Sequence, residues 1–243
     1  MLVHPALAPL QGRLIVSVQA EQHEPFYQPE AFLAMARSVV DGGAAGLRLA
    51  GARDVTFARE AFGDSLPIIG LTKPVPLPVD WRERVYITPT LKDALSLIAA
   101  GASLVALDGT ARPHPGGETL ATIVQALKAQ APQVGIIADI DTPASADFAL
   151  AAGVDALATT LAGYTQESLS TAPKTTPDWD LLAQLVVQSP VPVILEGRVA
   201  SPADVAKGLQ MGGFAVVVGS AITRPHLITA GFAAACASPQ GLV

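Results

Sequence analysis

One recurring unit constrains the fold of this chain more than any other feature. It is a helical Ala/Leu-rich segment, a glycine, two or three residues, then a short β-branched apolar run. It reads VVDGGAAGLRLAG at Val39–Gly51, IAAGASLVALDG at Ile98–Gly109, LAAGVDALATTL at Leu150–Leu161 and LQMGGFAVVVGS at Leu209–Ser220. Each unit's glycine suits the left-handed position that ends a helix. Each apolar run is too short and too uniform for a half-exposed strand, and suits a parallel strand buried on both faces. Thr142-Pro143 and Ser201-Pro202 each supply a cap followed by proline in the first helical turn. Strands alternating with helices in this way predict an α/β fold with a parallel sheet.

Counting strands selects the architecture. Candidates are Leu14–Val18, Gly46–Leu49, Ile68–Thr72, Val85–Thr88, Leu104–Asp108, Gly135–Asp139, Ala156–Thr160, Val193–Glu196 and Ala215–Gly219. Parallel neighbours need a crossover of a dozen or more residues, usually helical. The proline-rich KPVPLPVDWRER between Lys73 and Val85 offers none, so Val85–Thr88 is assigned to an irregular loop after the third strand. Eight βα units in about 250 residues predict a (β/α)8 TIM barrel. A doubly wound sheet is the rival, but no dinucleotide GxGxxG follows the first strand. The chain is read as a single domain over 1–243, with 1–12 an N-terminal extension and 226–243 a C-terminal helix or tail.

Composition narrows the function classes. Of the 243 residues half are apolar and 15% charged, with a net charge of −6. That excludes a disordered chain, and the lack of any Lys/Arg cluster excludes a nucleic-acid binder. The longest charge-free stretches are broken by proline, glycine or polar residues, so no membrane span is expected. The N-terminus lacks signal-peptide features, and the single Cys236 forms no internal disulfide. A cytoplasmic protein is the expectation. No HxH or HExxH spacing exists among the four histidines, so neither a metal nor another cofactor is expected.

A TIM barrel works at the C-terminal ends of its strands, and here those ends are polar. They carry Ser17 and Gln19, Arg48, Lys73, Asp108 and Arg112, Asp139, Thr159, Thr160 and Tyr164, Glu196 and Arg198, and Gly219, Ser220 and Arg224. Buried charges are costly unless paired or used. An ion-pair network closing the barrel mouth is the bland reading for any one of them; an active site is the reading for the set. Of five lysines only Lys73 directly follows an apolar strand. It suits a base, a Schiff-base former or a plain anion anchor. Glu196 suits an acid, a base or a partner of Arg198. The loops after strands 7 and 8 often bind phosphate in this fold. Gly197, Arg198, Gly219 and Ser220 suit that task, with Arg224 adding a charged contact.

The blocks LIVSVQ, GLRLAG, PIIGLTK, YITPTLKDA, ALDGTARPHP, IADIDTPA, ATTLAGYT, ILEGR and AVVVGSAITRP occur in this order. From Leu14 to Pro225 the chain resembles the N-acetylmannosamine-6-phosphate 2-epimerases, (β/α)8 enzymes of bacterial sialic acid breakdown. The resemblance implies Lys73 as catalytic lysine and Glu196 as catalytic glutamate. It implies Asp139 as an active-site aspartate and Gln19, Arg48, Arg112 and Tyr164 as substrate contacts, to which Thr160 is added. It puts Arg198, Gly219, Ser220 and Arg224 near the phosphate. Ala50, Pro74-Val75 and Asp141 depart from the family's usual residues around the sugar.

The implied activity is an isomerase that epimerises an amino-sugar phosphate at C2 by removing and returning a proton, without a redox cofactor. The small-molecule substrate is the expected partner, and a homodimer is left open. Two other readings stand beside it. One is another phosphate-binding barrel, an isomerase or a Schiff-base aldolase using Lys73. The other is a catalytically silent phosphosugar-binding protein, motivated by Ala50 and Pro74.

Overall fold

The computed structural model describes residues 3–236. Eight parallel strands close into a barrel in sequence order: β1 (Leu14–Val18), β2 (Gly46–Ala50), β3 (Ile68–Leu71), β4 (Leu104–Asp108), β5 (Gly135–Asp139), β6 (Ala156–Ala158), β7 (Val193–Leu195) and β8 (Ala215–Val218). The helices are α1 (Pro29–Asp41), α2 (Ala52–Phe62), α3 (Leu91–Ala99), α4 (Leu120–Gln130), α5 (Pro143–Ala152), α6 (Trp179–Gln188), α7 (Pro202–Gln210), α8 (Ser220–Thr223) and α9 (Pro225–Cys236). This is the single (β/α)8 barrel that the strand count predicts. Gly43, Gly101, Gly153 and Gly212, one in each repeated unit, all have positive φ, the conformation L side chains resist. Thr142 and Ser201 cap α5 and α7 through reciprocal bonds with Ser145 and Asp204.

Side chains alternate across a strand, and here the alternation sorts chemistry. Val16, Val18, Leu47, Leu49, Val105, Leu107, Ile136, Leu157, Leu195 and Val216 point outward and pack beneath the helices. Ile15, Ile69, Leu71, Leu104, Ala106, Ile137, Ala156, Ala158, Ile194, Ala215 and Val217 point inward and fill the barrel. Carried two residues further toward the strands' C-terminal ends, the inward parity gives Ser17, Arg48, Lys73, Asp108, Asp139, Thr160, Glu196 and Gly219. The site is therefore the top layer of the barrel interior.

The other end is closed by the segment read as an N-terminal extension. Leu7 and Leu10 are fully buried in the inner core. Gly46 makes room for this plug: a Cβ there would lie 2.7 Å from Leu10 Cδ2. Gly135 does the same beside His4 and Leu104.

The segment 85–88 is not a strand, as expected, but it is wholly buried. β3 and β4 share only the pairs Ile69↔Leu104 and Gly70↔Val105. Above them the segment intervenes, with Asp108 N donating to Ile87 O (3.0 Å) and Thr88 N to Thr72 O (3.0 Å). β6 ends two residues earlier than the expected Thr160. The Thr159 hydroxyl takes over the pairing with β7, donating to Glu196 O (2.8 Å) and accepting from Glu196 N (3.0 Å). Helix α9 is apolar and has no buried residue. The rest of the expected C-terminal tail, 237–243, lies outside the described residues. Among those described, no helix is long and apolar enough to cross a membrane.

Candidate active site

The top of the barrel opens into a cavity of about 560 Å³, within the range of small-molecule sites. Its walls include Ser17, Gln19, Lys73, Thr160, Glu196 and Arg224. Beneath them lies Arg48, which is 1% exposed. Its Nη2 meets Asp139 Oδ2 at 2.6 Å and its Nε lies 3.2 Å from Glu196 Oε1. The first is a hydrogen-bonded ion pair. The second is a charge contact without hydrogen-bond alignment. Burial alone would weaken the guanidinium's charge, but the two carboxylates outweigh it and raise the pKa. One arginine from β2 thus ties together carboxyl groups from β5 and β7. Thr160 completes the cluster, its Oγ1 lying 2.7 Å from Asp139 Oδ1 and 3.0 Å from Glu196 Oε2.

Burial pushes the Glu196 carboxyl up, and Asp139 adds to the shift; Arg48, Thr160 and Lys73 oppose it without cancelling it. Lys73 shifts the other way. Burial of its ammonium and the charges of Arg48 and Arg224 lower its pKa, against Glu196 and Asp139. The Lys73 side chain as a whole is exposed, because the surface it shows is cavity wall. That access moderates the shift but does not reverse it. Its Nζ donates to Gln19 Oε1 (2.9 Å), and Gln19 Nε2 donates to Ser17 Oγ (2.8 Å). A lysine pulled down and a glutamate pushed up are shifted toward each other, the direction that suits an acid–base pair.

The rim over β7 and β8 is suited to an anion. Gly197, Arg198, Gly219, Ser220, Ala221 and Arg224 all line it. Gly197 has φ +105°, so a side chain there would be strained. At the start of α8 the Ser220 and Ala221 N–H groups precede any intrahelical acceptor. Arg224 is held by Glu24 (3.0 Å) and Gln19 O (3.3 Å). Arg198 is more constrained than its sequence position suggests. Its Nη1 donates to Ala162 O (2.7 Å), its Nε to Lys174 O (3.1 Å), and the guanidinium stacks 4.5 Å over the Tyr164 ring. It braces the loop after β6 while edging the cavity.

Arg112 is not brought to the cavity wall. Asp108 and Asp139 are direct neighbours across β4 and β5, and two buried carboxylates side by side each need a cation. Arg48 serves Asp139. Arg112 serves Asp108 at 2.6 Å and also donates to Thr110 Oγ1, Trp81 O and Arg82 O. Ala50 and Pro74 do not line the cavity either, and Asp141 is buried beside Thr165 and Thr142. His114 Nδ1 donates to Pro89 O (2.9 Å) and lies outside the cavity lining. Tyr86, Ile87, Val199 and Thr223 line the cavity without having been singled out in the sequence. For Tyr86 the available signal was a lone hydroxyl-bearing ring inside the apolar VYIT, ahead of a proline.

Comparison with known proteins agrees with this architecture. The family described as "Putative N-acetylmannosamine-6-phosphate epimerase" matches residues 32–238. A relative from Enterobacter sp. (strain 638), named "Putative N-acetylmannosamine-6-phosphate 2-epimerase", is 40% identical over 228 residues, 93% of this chain and 93% of its own. A Synechococcus elongatus relative of the same name is 44% identical over 215 residues, 88% of this chain and 89% of its own. Among solved structures, the N-acetylmannosamine-6-phosphate 2-epimerase from Clostridium perfringens matches with a TM-score of 0.87 at 36% identity, over 97% of this chain and 98% of that one. A thiamine phosphate pyrophosphorylase from Pyrococcus furiosus, 17% identical with a TM-score of 0.55, shares the fold alone.

Proposed function

Because the chain belongs to the N-acetylmannosamine-6-phosphate epimerase family, we propose that it interconverts N-acetylmannosamine 6-phosphate and N-acetylglucosamine 6-phosphate. The setting is amino-sugar and sialic acid catabolism. The observation that carries this reading is the approach of Lys73 and Glu196 to one cavity from β3 and β7, four strands apart in a closed barrel of eight. Inversion at C2 needs proton exchange on both faces of one carbon, and groups from opposite walls meet that need.

The phosphate binds at Gly197, Arg198, Gly219, Ser220 and Arg224. The open-chain sugar then reaches across the barrel, with C1 and C2 over the charged cluster. Neutral Lys73 takes the C2 proton. The C2–H electrons form a C1–C2 double bond, and the carbonyl pair moves onto O1. A proton from the Glu196 carboxyl to the opposite face of C2 restores the aldehyde with inverted configuration. The reverse reaction exchanges the roles.

The sharing of Thr160 between two carboxyl groups bears on which of them carries a proton. A threonine hydroxyl has one proton, yet its oxygen is within hydrogen-bond distance of two carboxyl groups. Both contacts are satisfied only when one carboxyl brings its own proton. Asp139 holds the closer contact with Arg48, 2.6 Å against 3.2 Å for Glu196, so the proton is assigned to Glu196. Asp139 and Arg48 orient the pair, and Gln19 Oε1 steers the Lys73 amine by accepting one of its N–H groups. Tyr164 forms the wall beside Arg198 and completes the sugar contacts.

The exposed apolar α9 supports self-association as a homodimer, and the single cysteine supports a cytoplasmic location. The functional test is incubation with N-acetylmannosamine 6-phosphate in heavy water, followed by NMR. Formation of the C2 epimer carrying solvent deuterium is expected. An enzyme that binds the sugar phosphate but neither epimerises it nor exchanges its C2 proton would refute the reading.

A further inference from the structure

The geometry points to Tyr86 as a further catalytic residue. Its hydroxyl donates a hydrogen bond to O1 of the open-chain sugar as that oxygen gains negative charge. The inference rests on the proposed C2 epimerisation and supplies what the charged cluster leaves undone, a donor for the enolate oxygen.

Three observations converge on this residue. First, Tyr86 lines the same cavity as Lys73, Thr160 and Glu196. The residue is 7% exposed, and its hydroxyl has no hydrogen-bond partner among the described residues yet is not among the buried unpartnered atoms, so the little surface it shows belongs to the cavity it lines. A polar atom so positioned on a buried ring has an acceptor to find. Second, the ring is fixed from behind. Trp81 meets it edge-on, with centroids 5.3 Å apart and planes at 82°, and the Arg112 guanidinium lies 5.6 Å from its centre. The segment that carries it is clamped between β3 and β4 by the Asp108–Ile87 and Thr88–Thr72 backbone bonds. Donors that are already oriented cost no reorganisation when charge develops.

Third, the location fits one end of the substrate. The anion rim lies over β7 and β8, and β3 and β4 lie across the closed barrel from it. A six-carbon chain held at its phosphate sets C2 between Glu196 and Lys73 and carries C1 beyond it, toward the wall that Tyr86 and Lys73 both line.

The other polar groups near that end are engaged. Arg48 faces Asp139 and Glu196, and Thr160 joins the same two carboxyls. Lys73 is the base. Tyr164, the other tyrosine of the wall, stacks on Arg198 at the rim and is 39% exposed. Tyr86 also stays a donor rather than becoming a competing base. Burial and the nearby carboxylates of Asp108 and Asp139 hold its hydroxyl well above the usual tyrosine range, although Arg112 opposes them.

The test is Y86F in the full-length enzyme, which removes one oxygen and keeps the ring. Loss of a preorganised donor to a developing oxyanion costs on the order of 10²-fold in kcat. A fall in kcat of about that size is expected, with C2 deuterium exchange falling in parallel. KM, competition by inorganic phosphate and the thermal melting profile should stay close to the parent's. A Y86F enzyme with parental kcat overturns the inference while leaving the epimerase reading intact, and so does a loss confined to KM, which would mean ground-state binding. A parent enzyme inert toward the sugar phosphate overturns both. Trp81→Leu is a second probe: it keeps the hydroxyl but frees the ring, and should lower kcat less than Y86F does. A fall in kcat from Trp81→Leu with an unaltered Y86F would overturn the inference and assign the effect to packing.

Discussion

The lower and upper halves of the barrel interior use the same inward-facing positions for opposite purposes. Below, Ile15, Ile69, Leu104, Ile137 and Ile194 close on each other and on the Leu7–Leu10 plug in a core of aliphatic side chains. Above, the next inward positions are Ser17, Arg48, Lys73, Asp108, Asp139, Thr160 and Glu196, where every charge has a partner across the barrel or faces the cavity. One half holds the strands together and the other uses the rigidity this gives. An alternating strand can carry both because the outward positions stay apolar along its whole length. Substitutions below should therefore cost stability and spare chemistry, and substitutions above should do the reverse.

Lys73→Ala is expected to break the comparison most sharply at the top. A general base contributes about 10²–10⁴-fold, so kcat should fall by that much while melting is nearly unchanged, since Lys73 is exposed to the cavity and bonds only Gln19. Steady-state rates and thermal melts on one preparation check it, and near-normal turnover would remove Lys73 from proton transfer. The mirror experiment is Leu10→Ala in the plug. Leu10 is fully buried against Gly46, and such truncations cost about 2–5 kcal/mol. Urea unfolding should register that loss, with kcat per folded molecule unaltered. A plug variant that lost activity in the folded state would show that the two halves are coupled.

Arg224→Ala probes the rim, where ground-state binding rather than chemistry is at stake. Losing a charged contact to the phosphate costs about 1.5–3 kcal/mol, or roughly ten- to a hundredfold in KM. The kcat should change much less. Inhibition by inorganic phosphate should weaken in step with KM, and an unchanged inhibition constant would separate Arg224 from the phosphate.

The two halves were unequally legible in the sequence. The strands announced themselves because a doubly buried parallel strand admits only apolar residues and ends at a glycine-stopped helix. Strand-end position then pointed to Lys73, Arg48, Asp139 and Glu196, which the structure gathers at one end of the barrel. It did not foretell which arginines remain available. Arg112 sits at a strand end like Arg48, but its partner is settled by the register that sets Asp108 beside Asp139, and register is not written in one strand alone. Tyr86 was hidden for a related reason. Its segment has no crossover helix and reads as a loop, yet hydrogen bonds to strands on either side bury it in the barrel mouth. The N-terminal plug was missed because its few apolar residues look like an appendage until Gly46 and Gly135 are seen to leave space for them.

Asp108 offers the finest test, because it belongs to the upper half yet takes no part in the proposed chemistry. Burial raises its pKa to about 6, although Arg112 and Thr110 pull the other way; an unfolded aspartate titrates near 3.9. The folded state therefore holds this proton more tightly than the unfolded state. Between about pH 4 and pH 6 the folded protein binds more protons, so Asp108 makes stability fall as pH rises through that window, and adds no slope above it. One proton supports at most about 1.4 kcal/mol per pH unit. Asp108→Asn cannot ionise. It should lower stability overall by leaving Arg112 without its carboxylate, but its stability curve should lack the downward contribution from pH 4 to 6. Urea unfolding at a series of pH values, read as the difference between parent and variant, isolates the effect from other carboxylates. A difference that narrows as pH rises across this window is expected. A constant difference would mean that the Asp108–Arg112 pair ionises alike in both states, and that the upper half of the barrel carries even its unused charge without strain.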